Sequence, residues 1–528
     1  MSPRSAAHRP ALELTFVCLF AAALYFTFLG HSPLAMSEGH RAIPAWEMLD
    51  SGDWRVPTLF GQPYLRKPPG TQWAMATASA LLGRTEFAVR SVSALAIVVG
   101  SALSWWFARR WFGASEHGRG CALAAGLLFA LTPLFWYPGR SAEIESLHNT
   151  CALASLLFSL DLLLAKHRCG AGRWWMAAGL ALSLVCTALV KGPAAAPCLL
   201  GVLCAAVLVT RRLKTLASPK LWIAVLVATC AVAVVALTIR AHASSLSLRA
   251  VTQSPAGFLW DMRKWPAIVL LPISSLASAL PASLLLPWVF RRFTAPSSLP
   301  AQPTTRPPTP PTTPLKPHDA PAAFPAQVAT ALGVTVIVSL VIYAVLGVSN
   351  NRYAMPALTL VPIAASFARL GFNQARASNN PRWTRLGKLA LLHRPIVPIV
   401  ILTFATVLHH AWLELRRDRI SGRETGEAMV SALPSGATLI ANQMIEYRPE
   451  TFFYGRQAAE KNGRPITVRW IPPHIEPPAF PTYVALRKPR DPAVATAAFE
   501  AAAADDRERN TVFRGFVHRF EVDIVAPK

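Results

Sequence analysis

Runs of about twenty apolar residues recur along this chain, and no other feature limits its fold so tightly. A helix rises about 1.5 Å per residue, so one such run crosses the roughly 30 Å of hydrocarbon in a bilayer. Helices and closed barrels are the structures that cross with every backbone polar group satisfied, and the runs are too long for barrel strands. The sequence therefore predicts a polytopic α-helical membrane protein with about eleven (11–13) transmembrane helices. These fall near residues 11–30, 86–108, 119–138, 146–166, 174–190, 194–210, 220–239, 267–290, 327–347, 354–370 and 396–413. A cleaved signal peptide is the alternative reading of residues 1–35, given Arg4 and Arg9. The apolar run is long for that purpose and many spans follow, so a retained first helix is expected. Residues 71–83 are too few to cross and read as interfacial or re-entrant.

Charge follows the same plan. The net charge is +25 although only 15% of residues are charged. The basic residues cluster in short gaps between spans: Arg109, Arg110 and Arg119; Lys166, Arg168 and Arg173; Arg211, Arg212, Lys214 and Lys220; and densely over 369–394. A positive-inside bias explains this pattern, marks these gaps as cytoplasmic and leaves no role for nucleic acid. Eleven crossings from an inside N-terminus put the C-terminus outside.

Residues 1–413 form the expected membrane domain and 414–528 a small extracytoplasmic α/β domain, where short apolar runs such as ATLIA and TYVALR alternate with helix-like segments. Segment 294–326 is dense in Pro, Thr and Ser and reads as a disordered or extended linker. The eight cysteines lie in or beside spans without CxxC spacing, which indicates membrane packing and neither a zinc site nor a disulfide framework. His40, His148, His409 and His410 lack ligand spacing and read as interfacial.

Charges on the expected outer side are few. Residues 31–85 form a long loop with interfacial helices, holding SEGHRAIPAWEMLDSGDW and ending its polar part in GQPYLRKPPG. Further along come Arg140, Glu143 and Glu145; Lys191; Arg249, Arg263 and Lys264; and Arg352. Snorkelling accounts for any one of them. Together they make a coherent set, carboxylates beside cations suited to an anionic headgroup, at a depth where ionisable groups mark functional paths.

On these residues the chain resembles the lipid-linked-sugar glycosyltransferases of the aminoarabinose transferase and protein O-mannosyltransferase type, which share the GT-C fold. The resemblance rests on SEGHRAIPAWEMLDSGDW with the following KPPG, on GRSAEIESL, on LVKGP at 189–193, on NNRYAMPALTLVPIAAS and, weakly, on FFYGR at 452–456. It departs at three positions. Ser37 stands where the family carries an Asp, Arg66 where an acid often precedes the Lys-Pro, and Glu145 where Asp is usual.

The resemblance implies transfer of a sugar from a polyprenyl (undecaprenyl) phosphate carrier, with inversion, to a lipid, glycan or protein acceptor at the outer face of the inner membrane. Such transfer needs a group that takes the acceptor's proton and charges that hold the departing phosphate. Glu38 is the expected base and Glu145 a second carboxylate, with Arg140 its expected partner. Lys67, Lys191 and Arg352 are expected on the substrate's phosphate, and Tyr353 in the pocket wall. No cofactor is expected with certainty; relatives that use a divalent ion leave a metal open. A lipid or lipid-linked-sugar transporter and a silent binding homologue are the rival readings.

Overall fold

A computed structural model describes residues 3–112, 116–165, 173–242, 265–280, 282–286, 323–348, 350–367, 396–441, 448–469, 483–487, 511–517 and 520–525. Among the described residues nine long helices set the frame: α1 (Pro3–Phe26), α4 (Glu86–Phe112), α5 (Glu116–Leu131), α6 (Ile144–Leu164), α7 (Trp174–Lys191), α8 (Ala196–Thr210), α9 (Pro219–His242), α11 (Ala323–Val345) and α13 (Ile396–Ile420). Shorter ones complete it: α2 (Gly39–Ser51), α3 (Gly70–Leu82), α10 (Trp265–Ser278) and α12 (Asn351–Leu358). α6 lies at the centre, packed on α4, α7 and α8, with Leu153, Leu156, Leu157 and Leu160 all sealed from solvent. α9 lies at the rim and turns Trp222, Leu226, Val234 and Leu237 outward. An exposed apolar belt of this kind is stable only against lipid tails.

Six of the helical stretches are long and apolar enough to cross a membrane, and a seventh is counted if Gly118–Leu131 and Pro133–Arg140, bent by 44°, are one span. The expected eleven are not all reproduced among the described residues. The apolar part of α1, Pro10–Phe26, is shorter than the roughly twenty residues of a typical crossing, and α7 and α8 run together as one helical stretch, Trp174–Thr210. Spans expected at 267–290 and 354–370 continue into residues outside the described set, as do Arg249, Arg263, Lys264, segment 369–394 and the linker up to residue 322.

The first long loop carries two short helices. α2 and α3 are thirteen residues each, too short to cross, and pack on one another. Between them a two-residue hairpin pairs β1 (Thr58–Leu59) antiparallel with β2 (Gln62–Pro63). Glu47 clamps it, accepting from Thr58 Oγ1 at 2.6 Å and from the Phe60 N–H at 2.8 Å.

Hydropathy ends the last span at 413, but α13 continues to Ile420 before the chain turns into α14 (Arg423–Ser431). The C-terminal unit adds β3 (Thr438–Ala441), α15 (Pro449–Lys461), β4 (Thr467–Arg469), β5 (Tyr483–Arg487), β6 (Thr511–Val517) and β7 (Phe520–Val525). Its five-stranded sheet has the order β4-β3-β5-β7-β6, parallel for β3 with β4 and β5, antiparallel from β5 through β7 to β6. This unit sits on the first loop. Ile43, Leu59, Phe60 and Tyr64 share one apolar cluster with Met429, Leu433, Phe452 and Ile524. Tyr454, in the FFYGR stretch, accepts from the Leu34 N–H at 2.6 Å and donates to Glu86 at 2.8 Å. Loop and C-terminal unit thus lie on the same side of the helical bundle.

Candidate active site

Two groups of charges lie beneath this covered loop, and they differ in how completely they are satisfied. The first is a brace around Glu38, which is wholly buried. Its carboxylate accepts from Arg90 through both oxygens at 2.8 Å, from the Ala35 N–H at 2.9 Å and from the Ala142 N–H at 2.9 Å, with Arg417 at 3.6 Å. Burial works to raise its pKa, but Arg417, Arg90 and these donors overcome it and bring it down to about 2. Arg90 donates its remaining N–H groups to the carbonyls of Leu29, Ser32 and Pro33.

The brace extends to α13. Arg417 donates to the Arg140 carbonyl at 2.7 Å and to Ser141 Oγ at 2.5 Å. Arg140 meets Glu414 at 3.0 Å and the carbonyl of Thr27 at 2.8 Å. The expectation that Arg140 partners Glu145 is therefore corrected: its side chain points to α1 and α13. Glu38, the expected base, is held within this brace. A carboxylate with its lone pairs committed to guanidinium and amide donors has no site left for a substrate proton. Together these bonds fix the segment 140–143 against the first loop.

The second group lies just beyond that segment. Glu145, in the first turn of α6, stands 3.5 Å from Lys191 and 3.9 Å from Arg352. Lys191 also donates to the Arg352 carbonyl at 3.4 Å and lies 4.7 Å over the Tyr353 ring. Lys67 lies in the field of Arg41 and Glu145, and burial with the repulsion of Arg41 lowers its pKa. Arg41 faces both Glu143 and Glu145. Glu143, at the N-cap position of α6, accepts a hydrogen bond from Ser37. Of the expected set, Glu145, Lys67, Lys191, Arg352 and Tyr353 come together; Glu38 and Arg140 stand in the brace beside them.

Local sequence explains the convergence. In KPPG, prolines 68 and 69 fix the chain as it enters α3, and Gly70 lies so close to α7 that a Cβ there would meet the Leu189 carbonyl oxygen at 2.7 Å. That approach brings the Lys67 segment to the end of α7. There Gly192, at φ 68° and ψ −149°, takes a conformation open in practice to glycine alone and ends the helix directly after Lys191. A cation at a helix C-terminus is favoured by the macrodipole, as the acids are at the start of α6. Asn350 caps α12 by accepting from the Arg352 N–H at 3.0 Å, and Asn351 accepts from Ser274 at 3.0 Å, which anchors the turn that presents Arg352.

Of these groups Glu145 and Arg352 line a cavity of about 350 Å³, together with Pro133, Leu134, Tyr137, Pro138, Ser278, Asn351 and Met355. Its wall is mostly apolar with a charged end, the form of a site for a lipid carrying an ionic headgroup. Arg352 keeps about half of its side chain exposed. Among the described residues no group of three His, Cys, Asp or Glu side chains is placed to hold a metal ion, so no step below is routed through one. His40, His148 and His410 are buried within the protein.

The reading of the sequence missed the roles of Arg41, Arg90, Glu414 and Arg417 and passed over Glu143. A signal was available for Arg90 and Arg417. Each is an arginine within a helix, where an unpaired charge is costly and a buried carboxylate partner is implied.

The architecture defines a class: a membrane-embedded helical domain with a loop-borne polar site, the GT-C fold. Over 99% of this chain and 100% of the other, it superposes on the aminoarabinose transferase ArnT of Cupriavidus metallidurans, solved bound to undecaprenyl phosphate, with a TM-score of 0.63 at 18% identity. The sequence model of the dolichyl-phosphate-mannose-protein mannosyltransferase family matches residues 66–237. The undecaprenyl phosphate-α-4-amino-4-deoxy-L-arabinose arabinosyl transferase of Edwardsiella ictaluri is 32% identical over 24% of this chain, and that of Aeromonas hydrophila 37% identical over 17%. The matched parts span only 22% and 17% of those relatives. These findings show that the chain shares its fold with ArnT and resembles the glycosyltransferases over part of its length.

Proposed function

We propose that the protein transfers a sugar from a polyprenyl-phosphate carrier to an acceptor of the cell envelope. The reaction runs on the outer face of the inner membrane, on the side that carries the first loop and the C-terminal unit. One observation carries the reading: four cations, Arg41, Lys67, Lys191 and Arg352, gather around two carboxylates, Glu143 and Glu145. The surplus of two positive charges matches the phosphate dianion that the carrier becomes as the sugar leaves. A phosphodiester donor carries a single negative charge, so the surplus favours the departing group over the bound donor, which is what lowers a barrier.

In this reading the prenyl chain enters along the apolar wall of Pro133, Leu134 and Met355. Lys67, Lys191 and Arg352 take the phosphate, Arg352 by two donors of its planar group. Tyr353 keeps Lys191 in place through its ring. Glu145 sets the spacing of Lys191 and Arg352. Glu38 and Arg140 position the segment that leads into α6. The acceptor's oxygen attacks the anomeric carbon opposite the phosphate, and the sugar inverts.

The test is release of undecaprenyl phosphate from an undecaprenyl-phosphate sugar by the purified protein in proteoliposomes. Release that falls at least tenfold in Lys191→Met and in Arg352→Ala supports the proposal. Movement of intact donor across the bilayer without cleavage would mark a transporter, and donor binding with neither outcome a silent binder; either result ends it.

A further inference from the structure

We infer that Glu143 is the catalytic base, the group that receives the acceptor's proton, and that Ser37 orients it. The inference deepens the proposed transferase reading and rests on it. It comes from following each carboxylate near the cavity to its partners. Glu38 is held by Arg90, two backbone amides and Arg417. Glu414 is shared by Arg140, Arg417 and Ser32. Glu145 is engaged by Lys191 and Arg352. Glu143 forms no ion pair within 4 Å among the described residues, and the hydrogen bond given to it comes from a neutral hydroxyl, Ser37.

Its surroundings suit the task. Tyr137, Glu145 and Arg352 line the cavity and act electrostatically on Glu143, which is buried beside them. Burial and the neighbouring charge of Glu145 push its carboxyl up to about 7, against the pull of Arg41 and the Ser37 hydroxyl. A base with that affinity holds a proton well enough to accept one and is still about half deprotonated at neutral pH. The step balances. The acceptor O–H gives its proton to a Glu143 carboxylate oxygen and its electron pair to the anomeric carbon. The bond from that carbon to the phosphate oxygen breaks, and its pair leaves with the polyprenyl phosphate.

Geometry also suggests how the chain accommodates a serine at position 37. Ser37 touches the Glu143 carboxylate directly, so a carboxylate introduced at 37 would lie against the side chain at 143. The experiment measures undecaprenyl phosphate release by the unmodified protein and by Glu143→Gln, Ser37→Ala and the double variant Ser37→Asp with Glu143→Gln. Binding of undecaprenyl phosphate alone is followed in parallel.

We expect Glu143→Gln to lower turnover by roughly 10²–10⁴-fold, the range for loss of a general base, with binding changed less than about threefold. The double variant should regain at least about tenfold over Glu143→Gln. Turnover of the unmodified protein should rise with pH through about 7, as the base loses its proton. Ser37→Ala, which removes a bond that favours the charged form, should move that rise to higher pH. The assignment is overturned if Glu143→Gln keeps more than about a third of the turnover, or loses binding in proportion to turnover. If that variant does not fold, a profile of the unmodified protein that stays flat between about pH 6 and 8 overturns it as well. Should the unmodified protein release no carrier phosphate at all, the transferase reading fails first and this assignment goes with it.

Discussion

The brace and the site are built from the same residue types a few ångströms apart, yet they serve opposite ends. In the brace, Glu38 and Glu414 meet Arg90, Arg140 and Arg417 in short, multiply donated bonds, and the carbonyls of Thr27, Leu29, Ser32 and Pro33 take the leftover N–H groups. In the site, Glu145 is reached only at 3.5 and 3.9 Å, one of its oxygens has no hydrogen-bond partner, and Arg352 stays half-exposed. Buried charge that is fully paired fixes structure; charge left incompletely paired keeps capacity for a ligand. The depth of a carboxylate therefore says little about catalysis. What matters is which of its lone pairs are still free.

The strongest way to break this contrast is to remove Glu38. Glu38→Gln leaves Arg90 buried without its counter-charge and Arg417 with Glu414 alone; breaking such a buried pair costs about 3–5 kcal/mol. The protein in detergent should melt far lower, and the loss should appear equally with and without bound undecaprenyl phosphate. A variant that melts normally but turns over slowly would make Glu38 a chemical group and reverse the two assignments. Next in size are the site cations. Lys191→Met should weaken undecaprenyl phosphate binding by about 10- to 100-fold, as loss of a charge-assisted bond implies, with little change in melting. A destabilisation as large as that of Glu38→Gln would show that the site too is a brace.

The bundle was legible because apolar runs state their own length. The first loop was legible because α2 and α3 are too short to cross and KPPG and LVKGP announce turns. Lys67, Lys191 and Arg352 could be expected together from motifs, and they do meet. The division of labour among acids could not be read. Glu38 and Glu143 are both glutamates on the same side, and only the arginines arriving from α4 and α13, 52 and 379 residues away from Glu38 along the chain, decide which one is neutralised. Glu143 passes for an ordinary helix-start acid until Ser37 is seen beside it. Helix α13 outlasts the apolar run expected to end at 413 for a related reason: Glu414 and Arg417 lower hydropathy but remain helical because the brace pays their cost of burial.

Gly70→Ala tests how closely the two motifs must meet. The added methyl would strike the Leu189 carbonyl, a backbone atom that cannot swing away. Displacing Lys67 from Lys191 by even an ångström should reduce turnover by about 10- to 100-fold, with melting lowered by about 1–3 kcal/mol, the usual range for overpacking. Turnover that survives the substitution would mean the phosphate is held by the α7 and α12 cations without Lys67.

The smallest effect should come from Glu450, where the C-terminal unit meets the loop. It lies against Gly39, one residue from the brace, with Arg448 at 3.1 Å and one carboxylate oxygen without a hydrogen-bond partner. Burial holds its carboxyl up at about 8 in spite of Arg448. Unfolded, it titrates near 4.5. Between those values the folded state keeps the proton and the unfolded state has lost it, so stability is highest below the lower value and falls as pH rises through the window. Glu450→Gln removes the titration and keeps the shape. Its melting temperature should vary less from pH 5 to about 8 than that of the unmodified protein, and at the upper end it should be more stable by about 1–2 kcal/mol, a fraction of the cost of leaving a charged group unsatisfied. Should Glu450→Gln instead be the less stable form at every pH, the carboxylate is ionised and paired in the fold, and this corner belongs to the brace.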